Sequence, residues 1–87
     1  MEKPIEIGSV VLSRAGRDKG RFFIVVEIVD DQFVKIADGD IRRLATPKLK
    51  KVKHLKGTGD VLESIAEKLK NSVTVYDAEI YSAMRKL

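Results

Sequence analysis

The chain has 87 residues and a mass of 9.7 kDa, the size of one domain; a chain of ~60 residues already hides roughly 60% of its unfolded surface. It has no cysteine, which excludes disulfides, thiolate catalysis and cysteine-ligated zinc or iron–sulfur centres. Lys and Arg number 17 against 13 Asp and Glu, a formal net charge of +4 with a pI near 9.5, so a polyanion is the favoured class of partner.

Residues 7–13 (IGSVVLS) read as a first strand, with Gly8, Val10 and Leu12 sharing a face. Residues 15–20 (AGRDKG) carry two glycines and form a loop. Residues 21–29 (RFFIVVEIV) are the strongest strand, with Phe22, Ile24, Val26 and Ile28 on one face and Phe23, Val25 and Val29 on the other. After a turn at Asp30 and Asp31, residues 32–37 (QFVKIA) alternate, with Val34 and Ile36 facing the same way. Asp38 and Gly39 signal a tight turn, residues 41–45 a short fourth strand, and Pro47 breaks the ladder because it has no amide to donate. Residues 50–55 supply a fifth strand. Five short strands in about fifty residues predict a small barrel.

The period then changes. After Gly57, Thr58 and Gly59, Asp60 is an N-cap candidate with Glu63 three residues on, and Val61, Leu62, Ile65 and Leu69 recur at helical spacing. Asn71 and Ser72 end that helix. Thr74 then caps a second, with Asp77 at its third position and a stripe of Tyr76, Ile80, Ala83, Met84 and Leu87. Both faces of the second strand are apolar, so one set fills the barrel and the other needs a cover. The helical hairpin is expected to pack outside, over Phe23, Val25 and Val29. The expected organisation is a barrel over residues 1–57 and a hairpin over residues 58–87, joined as one folding unit.

Charge is unevenly spread. Residues 1–57 carry 13 bases and 8 acids, and residues 58–87 carry 4 and 5. Seven bases and no acid lie between Arg42 and Lys56, and Arg14, Arg17, Lys19 and Arg21 cluster around Asp18. Enzyme signatures are missing. His54, the only histidine, has no recognisable nucleophile or orienting carboxylate near it. Asp38, Gly39 and Asp40 lack the oxygen ladder of a calcium loop, and Gly16 and Gly20 do not match a dinucleotide or Walker fingerprint. A non-enzyme is expected, with no cofactor, no metal and no small-molecule substrate. The longest apolar run, residues 22–26, is far short of the ~20 residues of a membrane span. The N-terminal MEKPIEIG lacks an apolar segment of signal-peptide length, so no membrane partner and a cytoplasmic location are expected.

The stretch from IGSVVLSRAGRDKGRFFIVVEIV through the Asp38–Gly39 turn resembles a KOW motif: an apolar strand, a basic loop closing on Lys19-Gly20, a second strand and a turn. More closely, residues 5–56 resemble the small bacterial KOW-domain RNA-binding proteins, which are related to the fourteenth-numbered family of KOW-bearing large-subunit ribosomal proteins of archaea and eukaryotes. The resemblance implies an SH3-like five-stranded barrel and RNA contact through the loop after the first strand. It marks Arg14, Arg17, Lys19 and Arg21 as phosphate contacts and Gly20 as the structural glycine. Charge adds Arg42, Arg43, Lys48, Lys50, Lys51 and Lys53 as an exposed lysine-rich segment meeting phosphates more diffusely.

Most aromatics are claimed by the core or the helix stripe, leaving only Phe33 and Tyr81 as platforms for base stacking. Recognition of structured RNA by charge and shape is the better reading. The expected protein is ribosomal or ribosome-associated, bound to ribosomal RNA and with ribosomal proteins as further partners. The alternative is a protein-interaction adaptor docking on transcription or translation machinery, although the absence of Trp argues against a proline-recognising groove.

Overall fold

Five strands, β1 (Ser9–Ser13), β2 (Phe22–Ile28), β3 (Phe33–Ala37), β4 (Lys48–Lys51) and β5 (Leu55–Val61), form one antiparallel sheet in the order β4-β3-β2-β1-β5. A 3-10 turn, Val52–His54, carries the chain from one edge strand to the other, and two helices follow, α1 (Glu63–Lys70) and α2 (Asp77–Arg85). This computed structural model describes residues 5–87, so the first four residues of the expected barrel lie outside the described ones. The architecture is the expected small barrel-like sheet with C-terminal helices.

The two apolar faces of β2 organise two clusters. Phe23 and Val25 point inward with Val11, Val34, Ile36 and Leu55, all fully buried or nearly so. Ile24 points outward and is sealed by Ile65 of α1 and Ile80 of α2. Half-buried Val26, Leu44, Leu62, Leu69, Val75, Ala83 and Met84 surround that contact. The helices therefore cover the Ile24 side, not the expected Phe23 side, and the bulky phenyl ring fills the barrel instead. A β-bulge explains why the alternation does not run to the end of the strand. Val25 pairs with Ile36 but Glu27 pairs with Lys35, so Val26 is an extra residue and Ile28 swings round to face Val34. Ile28 and Val29 are each 46% exposed and join neither cluster.

Residues 41–45 do not form the expected strand. Asp38 Oδ1 accepts the amides of Asp40 and Arg42, both at 2.9 Å, and the Leu44 amide donates to Asp77 Oδ1 at 2.7 Å. Carboxylates take the backbone donors a ladder would need. The edge strand forms instead at Lys48–Lys51, and the expected strand over 50–55 is divided by the 3-10 turn. Gly39 adopts φ +79°, and a Cβ there would collide with the Asp77 carbonyl oxygen and lie 2.9 Å from the Tyr81 nitrogen. The absence of a side chain lets the first turn of α2 rest on this loop.

β5 runs through the Gly57–Gly59 segment that reads as a break. Its partners shift from Val11↔Gly57 to Ser9↔Val61, leaving extra residues in β5, and Thr58 Oγ1 donates to the Val10 carbonyl at 2.9 Å across the bulge. Asp60 is thus a strand residue rather than a cap, and α1 starts after Leu62 with no side-chain cap. Likewise α2 starts after Tyr76 rather than Thr74, and Tyr76 and Leu87 are exposed where the stripe predicts burial. The boundary expected after Gly57 falls inside a strand.

Candidate nucleic-acid interface

The loop joining β1 to β2 is closed at its neck. The Ser13 amide donates to the Arg21 carbonyl and the Gly20 amide to the Ser13 carbonyl, both at 2.9 Å. Gly20 has φ +87°, a backbone region that disfavours any Cβ, although no atom lies within 4 Å of where one would stand. Its N–H is committed to Ser13, so its contribution is the turn rather than a donor for phosphate. Below the neck, the Arg14 amide donates to the His54 carbonyl at 2.8 Å, and Arg14 Nη2 lies 3.5 Å from the Leu55 carbonyl oxygen.

Inside the loop, its single acid is turned inward. Asp18 is 3% exposed and accepts a guanidinium fork: Arg42 Nε to Oδ2 at 3.1 Å, Arg42 Nη2 to Oδ1 at 3.3 Å and to Oδ2 at 3.0 Å. Lys50 is turned inward too. It lies opposite Val34 on the barrel-filling face of β4, is 8% exposed, and its Nζ donates to the Ala15 carbonyl at 2.8 Å. Two of the basic side chains expected to be solvent-facing RNA contacts are thus engaged with the β1–β2 loop. Period-2 alternation is the reason. In the segment Lys48–Lys51 it sends Lys50 in and leaves Leu49 52% exposed, the inverse of the usual apolar-in pattern.

The outward members are Arg14, Arg17, Lys19 and Arg21 on the loop, Arg43 beside Arg42, Lys51 at the end of β4 and Lys53 in the 3-10 turn; Lys48 is half-buried. The contacts of Arg42, Lys50 and Arg14 tie the second basic segment to the base of the first, so segments far apart in sequence meet in one region. Lys51 and Lys53 line an open cleft of about 460 Å³ with Asp31, Gln32 and Val52. The Lys51 amine stands 6.0 Å over the Phe33 ring, which occupies one of the two expected stacking platforms. Tyr81 is 42% exposed with the Arg85 guanidinium 5.5 Å from its ring centre. Phe22 and Tyr76 are also exposed, which the stripe patterns conceal.

The inward turn of Asp18 and the role of the Ala15 carbonyl as an acceptor have one signal in the sequence, a lone acid among four bases, which needs a partner if it is not to offset them.

No family model matches the chain. A curated relative, large ribosomal subunit protein eL14 of Desulfurococcus amylolyticus, is 38% identical over 87 aligned residues covering 86% of this chain and 88% of that protein. The chain belongs to the eL14 family of large ribosomal subunit proteins. For this eL14-family chain the KOW resemblance and the charge converge on the same segment, the β1–β2 loop, with its acid withdrawn and its bases outward. Among the described residues, no helix is long and apolar enough to cross a membrane.

Proposed function

We propose that this eL14-family protein binds ribosomal RNA in the large ribosomal subunit, presenting the β1–β2 loop to phosphates. The observation that carries the reading is the sorting of charge in that loop. Asp18 is buried and neutralised by Arg42, while Arg17, Lys19 and Arg21 face solvent. A polyanion approaching the loop meets only cations.

Each arginine offers a planar fork that matches two phosphate oxygens, and Lys19 offers a point charge. Arg43 and Lys53 extend the basic surface along the backbone of the same RNA. Phosphate contacts of this kind fix position and orientation, while shape selects the site. The protein's role is binding and positioning rather than chemistry, in the cytoplasm, with neighbouring ribosomal proteins as further contacts.

The test is co-sedimentation of the tagged protein with large subunits from a lysate, before and after nuclease treatment, with crosslinks mapped on the RNA. Nuclease release and crosslinks from Arg17, Lys19 or Arg21 to large-subunit RNA are expected. Persistent attachment to proteins after digestion would instead favour the adaptor.

A further inference from the structure

Resting on the RNA-binding reading above, we propose that Asp18 (with Arg42) and Lys50 are positioning residues. They hold the β1–β2 loop in its binding shape and do not themselves touch RNA. Three observations carry this. Asp18 and Lys50 are 3% and 8% exposed, so neither can meet a phosphate without the loop opening. Arg42 is held by both carboxylate oxygens of Asp18, which fixes the guanidinium orientation as well as its distance. Lys50 reaches from edge strand β4 across to the Ala15 carbonyl, which also accepts the Ser13 hydroxyl at 3.2 Å, so a second strand holds the loop beside its neck.

Ala15 and Asp18 flank Gly16 and Arg17 in sequence, so the two contacts hold the loop on either side of an outward arginine. A loop set before binding loses less conformational freedom on meeting RNA and presents its cations at fixed spacing. The buried groups are all partnered: among the described residues no buried side-chain polar atom lacks a hydrogen bond.

Charge alone and positioning predict opposite signs for one substitution. Asp18→Asn removes a negative charge from a polyanion-binding loop, so a purely electrostatic surface would bind RNA more tightly. If Asp18 positions the loop, the new amide group faces the Arg42 N–H donors, the fork breaks and binding to cognate RNA weakens. The experiment titrates the full-length protein and its variants against a transcript of large-subunit ribosomal RNA and against a random RNA duplex at several salt concentrations. Asp18→Asn is expected to bind the ribosomal transcript about tenfold more weakly, the loss of one well-placed contact, with the duplex affinity little changed. Lys50→Met, which removes the ammonium and keeps most of the side-chain volume, is expected to lose affinity for the transcript with the salt slope unchanged. A phosphate-contacting lysine would lower that slope by about one.

Unchanged or tighter binding by Asp18→Asn, or a slope lowered by about one in Lys50→Met, overturns the inference while leaving RNA binding intact. If Asp18→Asn does not fold, the slope of Lys50→Met decides. Failure of the unaltered protein to prefer the ribosomal transcript over the duplex overturns the function reading itself.

Discussion

Lys68 of α1 and Glu79 of α2 meet at 2.7 Å, the one ion pair among those described that joins the two helices. The hydrogen bond from Lys68 holds the Glu79 carboxyl below its ordinary 4.5, assisted by the Tyr76 amide and opposed by partial desolvation. A carboxyl whose folded pKa is depressed contributes stability that is present above 4.5 and lost as pH falls through the lower folded value. The gap in melting temperature between the unaltered protein and Glu79→Gln should therefore be present at pH 7 and close below pH 4.5. A gap of constant size from pH 7 to pH 3 would show that the pair does not set the acid response.

Ile80 is the point where α2 touches β2, fully buried against Ile24 and Ile65. Truncating it to alanine removes three carbons from a closed site, and such changes cost about 2–5 kcal/mol. In a domain of this size each kcal/mol lowers the midpoint by roughly 4–8 °C, so Ile80→Ala should melt more than about 8 °C lower. Thermal unfolding followed by circular dichroism measures it. A loss below about 2 °C would mean the helices contribute little to the core.

The same contact makes the barrel dependent on its helices. A chain ending at Val61 keeps all five strands but uncovers Ile24, Val26 and Leu44. It should aggregate or unfold without a sharp transition, because an uncovered apolar face favours association. One cooperative transition at an unchanged temperature would show that the strands fold alone.

Local signals revealed those elements whose contacts are local. β1 to β3 follow from alternation, and both helices from their apolar stripes. The failures lie where a distant group decides. Residues 41–45 have strand propensity, but Asp38 and Asp77 take their amides, and Asp77 is 33 residues from Leu44. Gly57 and Gly59 look like punctuation, yet pairing with β1 draws them into a bulged strand. At the interface the basic residues are visible as charge, but charge does not show direction. Lys50 and Arg42 resemble Lys51 and Arg43 in sequence; the phase of β4 turns Lys50 inward, and the fold brings Ala15 and Asp18 within reach of Lys50 and Arg42.

The outward bases fall into two groups. Arg17 and Lys19 sit on a loop fixed at its neck and tied to β4 and Arg42, so they should meet one local arrangement of phosphates. Lys51 and Lys53, at the end of β4 and in the 3-10 turn, border an open cleft and should act on any phosphate backbone. With about five outward bases engaged, affinity for structured RNA should fall by roughly two to three decades between about 50 and 200 mM salt. At one fixed salt concentration, the Arg17→Ala/Lys19→Ala pair should weaken binding to the ribosomal transcript more than to a random duplex. The Lys51→Ala/Lys53→Ala pair should weaken both about equally, because phosphate contact carries no sequence information. Neither pair should change stability by more than about 0.5 kcal/mol, since these side chains are exposed. A titration of the two double variants against both RNAs gives four losses to compare. Four equal losses would mean a general basic surface with no shaped loop contact, and no loss in any would remove the electrostatic account of binding.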